Sequence, residues 1–194
     1  MIPHSDMNFE DDIVSCIKIL ENGGIILYPT DTIWGIGCDA TNDEAVDRIF
    51  ALKKRPDQKS MITLVADEKD VLRYVASPDL QVFNYLATTI KPTTVIFDNS
   101  IGLSDRLTGT DGSIAIRICR DEFCRHLIKR FRKPIVSTSA NISGEPAPHN
   151  FRQITDAVKN GVDYVVRYRQ DETAISQPSA IVKWNKDRIE TIRS

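Results

Sequence analysis

Tyr28-Pro29-Thr30-Asp31-Thr32-Ile33-Trp34-Gly35-Ile36-Gly37-Cys38 is the stretch on which the reading of the fold turns. It grows out of Gly24-Ile25-Ile26-Leu27-Tyr28, a short apolar run stopped by Pro29, which is the pattern of a buried strand. The strand thus ends in a display of hydroxyls and one carboxylate. Two glycines follow, and they allow backbone to approach a ligand closely. Gly35-x-Gly37-x-x-Ala40 imitates the dinucleotide fingerprint, but the acid that should close a second strand about twenty residues later is missing. The spacing alone therefore leaves two readings open: a glycine turn leading into a capped helix, or a loop built to face a ligand.

Upstream of this stretch, Asn8 is a candidate cap for a helix carrying Phe9, Ile13, Cys16, Ile17 and Leu20 at helical spacing, with Gly23 at its left-handed end. Downstream, Thr41-x-x-Glu44 reads as a capping box opening a helix with Ala45, Ile49 and Leu52 on one face. Strands are expected over 61–66, 93–97, 113–119, 134–137, 163–167, 179–184 and 188–192, and helices over 67–75, 79–90, 121–130 and 151–160. The polar, glycine-containing loop 98–112 is long enough to suspect a job, and 138–150 is a second loop. Strands and helices mix without strict alternation, which implies one α/β domain over 1–194, core about 22–193, with a twisted mixed sheet flanked by helices.

The whole chain sets limits on function. Its 194 residues suit one well-buried domain. A net charge of −2 argues against a domain shaped overall for nucleic acid. No apolar run is long enough for a bilayer, and the acid in Met1-Ile2-Pro3-His4-Ser5-Asp6 is wrong for a signal peptide, so the expected location is cytoplasmic. Cys16, Cys38, Cys119 and Cys124 form no C-x-x-C pair, and His4, His126 and His149 are scattered. Reduced thiols are expected, and no metal site.

Two further motifs carry chemistry. Lys53-Lys54-Arg55-Pro56-Asp57-Gln58-Lys59-Ser60 puts four cations at a helix end and the following loop, a natural clamp for phosphates. Complementing the helix dipole would explain the first three cations but not Lys59. Ser137-Thr138-Ser139-Ala140-Asn141-Ile142-Ser143-Gly144, directly after a strand, can line a pocket for a small zwitterion or a nucleotide. Neither a G-x-S-x-G elbow nor a G-x-x-x-x-G-K-[ST] loop is present, which speaks against serine hydrolysis and P-loop ATP use. A second basic run, Arg125-His126-x-x-Lys129-Arg130-x-Arg132-Lys133, is either a solvated helix face or a contact for the backbone of tRNA or other RNA.

Together these motifs resemble the YrdC-like family of threonylcarbamoyl-AMP synthases. The family pattern runs P-T-[DE]-T-x-[YW]-G-[LI]-G, then K-x-R-P, then S-A-N-x-S-G. Here it stands at Pro29–Gly37, Lys53–Pro56 and Ser139–Gly144, and the resemblance extends from about Asn22 onward. It implies a YrdC-like fold with a concave, locally positive cavity. The implied activity joins L-threonine, bicarbonate (or CO2) and ATP, with Mg²⁺ accompanying the nucleotide, into threonylcarbamoyl-AMP and pyrophosphate. Downstream proteins would then transfer the threonylcarbamoyl group to tRNA. Matched positions imply Thr32, Arg117, Ser139 and Ser179 for threonine, and Arg55, Lys59, Ser113, Asn141, His149 and Arg193 for the nucleotide. Lys53 and Arg55 would act at the phosphates during catalysis. Trp34 stands for the more common Tyr, Leu64 for a threonine-contacting His, Lys59 for Asn, and Ala180 for a hydroxyl residue. Some relatives carry a further C-terminal domain, which a chain this short is not expected to hold. The alternatives are a non-catalytic RNA-binding domain of the same fold and a detached carbamoyl-transfer domain.

Overall fold

The computed structural model describes residues 9–54, 61–174, 177–185 and 188–194. Nine strands form one mixed sheet: β1 Ile26–Tyr28, β2 Gly35–Gly37, β3 Ile62–Val65, β4 Thr93–Phe97, β5 Ile114–Ile118, β6 Ile135–Ser139, β7 Tyr164–Val165, β8 Ala180–Asn185 and β9 Arg188–Arg193. Their order is β7-β1-β2-β6-β3-β5-β4-β8-β9. Pairs β1–β7, β3–β5 and β4–β8 are parallel and the rest antiparallel. The α-helices are α1 Glu10–Glu21, α2 Asp43–Lys53, α3 Glu68–Tyr74, α4 Gln81–Thr88, α5 Glu122–Phe131 and α6 Asp156–Lys159. Helix α1 packs on α5 and on β1 and β7, while α3 and α5 pack on β3.

The decisive stretch is a hairpin. Tyr28 pairs with Gly35 and Ile26 with Gly37, so the two glycines sit within a strand and not in a phosphate-binding turn. Their role is close packing. A Cβ on Gly37 would lie 2.6 Å from the Tyr28 ring and 2.5 Å from the Val136 carbonyl. The fully buried Tyr28 ring thereby lies against β2 and donates its hydroxyl to Val136 O at 2.9 Å.

Helix entry at α2 also differs from the capping-box expectation. Asn42 is the cap, accepting from Ala45 N at 3.1 Å. Thr41 is diverted, because its N–H and hydroxyl both go to the buried Asp39 carboxylate at 2.8 and 2.6 Å. At α1 the cap position falls on Phe9, which offers no acceptor; Asn8 lies outside the described residues. Gly23 takes the expected left-handed conformation. The helix expected over 151–160 is broken into a 3-10 turn, Phe151–Gln153, and the short α6. Loop 98–112 has a structural role: Ser104 donates its N–H to Ala40 O and its hydroxyl to Asp43, and Leu107 is buried.

The registers bring distant residues into line. Leu64 is the partner of Ile135 on one side and Arg117 on the other. Because Val95 pairs with Ile116, Thr94 lies across from Arg117 one step further along. Thr94 pairs with Ile181, and Ile181 with Arg193. A single transverse row, Ile135–Leu64–Arg117–Thr94–Ile181–Arg193, therefore crosses six strands on one face.

Candidate active site

A recess of about 320 Å³ opens over this row. Its wall includes Thr32 and Trp34 from the hairpin loop, Ile62, Arg117, Ser137 to Ser139, Ser179, Ile181 and Arg193. Five far-apart stretches thus supply its polar groups.

The hairpin loop is held rigidly by its own hydroxyls. Thr30 Oγ1 accepts from Thr32 N at 3.0 Å and donates to Ile33 O at 2.8 Å. With that proton spent, Thr32 Oγ1 is the donor in the 3.0 Å contact between the two hydroxyls. Arg117 Nη2 then donates to Thr32 Oγ1 at 3.3 Å and lies 3.1 Å from Asp31 Oδ1. This ion pair is nearly dry, with side chains 3% and 10% exposed. The Asp31–Arg117 contact is close without hydrogen-bond alignment, and Arg117 Nε is buried with no hydrogen-bond partner among the described residues. An unpaired N–H on a buried guanidinium is costly, and an arriving anion would satisfy it.

Arg193 enters from the edge strand. Its Nε and Nη2 donate to Ser179 O at 3.0 and 2.8 Å, and Nη2 approaches Ser179 Oγ at 3.4 Å. Burial lowers its pKa from the usual arginine range, and the positive charge of Arg117 adds to this. Among the described residues, the recess wall holds two arginines and no carboxylate, and only Arg117 is paired with one, Asp31, so the recess is short of negative charge.

Of the residues singled out by sequence, Thr32, Arg117, Ser139, Ser179 and Arg193 meet at this recess. His149 stands on the far side of the Thr32-Ile33-Trp34 wall, in a smaller hollow with Arg169. Ser113 lies just before β5 on the same face as Arg117, roughly 13 Å along the strand, and outside the recess wall. Asn141 forms the turn beyond β6, where its amide donates to Ile142 O and Glu145 O while its Oδ1 is buried without a partner among the described residues. Arg55 and Lys59 lie outside the described residues. Lys53 is 1% exposed, and its ammonium donates to the carbonyls of Ser139 and, at 2.6 Å, Asn141. It ties α2 to the S-A-N turn. Leu64 is fully buried beside Arg117.

The sequence reading gave no role to Asp31, although the P-T-D-T run displayed it. It also missed Thr94, whose inward position follows only from the strand register. The basic run on α5 and just beyond it is partly spoken for, since Arg130 of the helix pairs with Glu10 and Lys133, two residues past its end, with Asp39. No helix among the described residues is long and apolar enough to cross a membrane.

Comparison with known proteins adds names to this geometry. The family model Sua5/YciO/YrdC, described as "Telomere recombination", matches residues 18–194. A threonylcarbamoyl-AMP synthase of Photobacterium profundum is 35% identical over 139 residues, 70% of this chain and 75% of that protein. One from Idiomarina loihiensis is 34% identical over 146 residues, 74% of this chain and 78% of that protein. Among solved structures, P. abyssi Sua5 complexed with L-threonine matches with a TM-score of 0.86 at 24% identity, over 95% of this chain. This chain spans 54% of that protein's length. E. coli YciO matches with a TM-score of 0.81 at 21% identity, over 95% of this chain and 89% of its own. Both structures support the single-domain α/β fold with a mixed sheet.

Proposed function

We infer the function from one premise: this chain belongs to the Sua5/YciO/YrdC family. The protein is an L-threonylcarbamoyladenylate synthase, a nucleotidyltransferase that serves tRNA modification from the cytoplasm. Its substrates are L-threonine, bicarbonate or CO2, and ATP carrying Mg²⁺. Its products are threonylcarbamoyl-AMP, pyrophosphate and, from bicarbonate, water. The adenylate passes to proteins that transfer the threonylcarbamoyl group to tRNA.

The observation that carries this reading is the convergence of Thr32, Arg117, Ser139, Ser179 and Arg193 on one recess deficient in negative charge. The threonine carboxylate is the anion that suits Arg117 Nε, with the hydroxyls of Thr32, Ser139 and Ser179 around the remaining polar atoms. On the nucleotide side we assign Arg193, Asn141, Ser113, His149, Arg55 and Lys59, with Lys53 shaping the turn that carries Asn141. The threonine amine loses a proton and adds to the carbon of CO2. A carbamate oxygen then attacks the α-phosphorus in line, and the bond to pyrophosphate breaks. No nucleophile from the protein is needed, so the rate comes from positioning and from cations facing the charge that develops on phosphorus and the departing pyrophosphate.

The four buried, unpaired cysteines suit a reducing compartment. A non-catalytic RNA binder is not favoured, because the relatives are named as synthases and part of the α5 patch is already ion-paired. The test incubates the protein with ATP, Mg²⁺, bicarbonate and single amino acids. The expected result is pyrophosphate release that needs threonine, with a new adenylate of the corresponding mass. Absence of both overturns the reading.

A further inference from the structure

We propose that Thr94 is a positioning residue which makes Ser179 a hydrogen-bond donor toward an oxygen of the bound amino acid; this rests on the function proposed above. Thr94 is fully buried on β4 between two residues of the recess wall, Arg117 on β5 and Ile181 on β8, yet is not itself part of that wall. Its Oγ1 lies 2.9 Å from Ser179 Oγ. Valine has the same shape, so packing alone does not call for a hydroxyl here, and an unsatisfied one would be costly.

Counting protons settles the direction of the bond. Thr94 Oγ1 has no other partner among the described residues, so if Ser179 were the donor, the Thr94 proton would be buried and unused. Thr94 therefore donates. Arg193 can only donate, and its Nη2 approaches the same Ser179 oxygen at 3.4 Å. Both lone pairs of Ser179 Oγ are then taken, and its own proton is left to point into the recess. Such a group recognises an acceptor, a carboxylate or hydroxyl oxygen, and not an ammonium.

The anchor is stiff where Ser179 is not. Threonine in a central strand is restricted about χ1, whereas Ser179 precedes β8 and its unbranched side chain has three staggered positions to choose from. Thr94 selects one of them.

The test compares wild type, Thr94→Val, Thr94→Ser, Ser179→Ala and the Thr94→Val/Ser179→Ala double variant. Calorimetric binding of L-threonine and threonine-dependent pyrophosphate release are both measured. Thr94→Val should weaken threonine binding and raise its KM about tenfold, the usual consequence of losing one aligned hydrogen bond. The KM for ATP should stay unchanged, and Thr94→Ser should restore wild-type values. The double variant should be no worse than Ser179→Ala, because Thr94 acts through that hydroxyl. Wild-type binding in Thr94→Val, a parallel rise in both KM values, or additive losses in the double variant overturns the inference and leaves the enzyme reading standing. A wild-type protein that neither binds nor uses threonine overturns both.

Discussion

Lys53 shows how one side chain can read differently in sequence and in space. In the K-x-R run it looks like a phosphate ligand, but its ammonium is buried against the carbonyls of Ser139 and Asn141, and Ser143 N in turn donates to Lys53 O at 2.8 Å. Helix end and S-A-N turn are thus built as one unit. Lys53→Met keeps the stem and strands these carbonyls, so it should cost about 1–3 kcal/mol of stability. A calorimetric scan should register about 2–4 °C of Tm for each kcal/mol, alongside reduced activity. If Lys53 instead worked only at the phosphates, activity would fall with Tm unchanged. The two glycines of the hairpin teach a related lesson. Sequence marked Gly35 and Gly37 as special, but only the positions of the Tyr28 ring and the Val136 carbonyl explain why Gly37 admits no side chain.

Among the elements, the strand expected from the β-branched residues of 93–97 stands where the sequence places it, as β4 over Thr93–Phe97. Misreadings occur where a neighbour fixed by long-range packing competes for a local signal, as Asp39 is fixed by Lys133. Asp39, buried by tertiary packing, captures Thr41 and shifts the cap of α2 to Asn42. Asn42→Ala should therefore destabilise the protein by about 1 kcal/mol, measured by urea unfolding. Glu44→Ala should cost little; a loss equal to that of Asn42→Ala would restore the capping-box reading. The candidate site was legible only as separate motifs. Thr32, Arg117, Ser139, Ser179 and Arg193 were named through resemblance, whereas the pairing of Arg117 with Asp31 and the place of Thr94 depend on register between strands distant in sequence.

Taken as a whole, the molecule hangs part of its recess on its least protected strand. Arg193 belongs to β9, which lies at the sheet edge with all six residues exposed, while Arg117 sits on the buried β5. Edge strands open locally at little cost, far below the free energy of global unfolding. The recess can therefore lose one of its two arginines while the core stays folded, and any anion that engages Arg193 must hold the edge shut. Amide hydrogen exchange should report this directly, with β9 protons exchanging fast in the free protein and slowly with MgATP bound. Occupancy and order at the rim would then be two readings of a single equilibrium, and the enzyme would close its own border only around the right cargo.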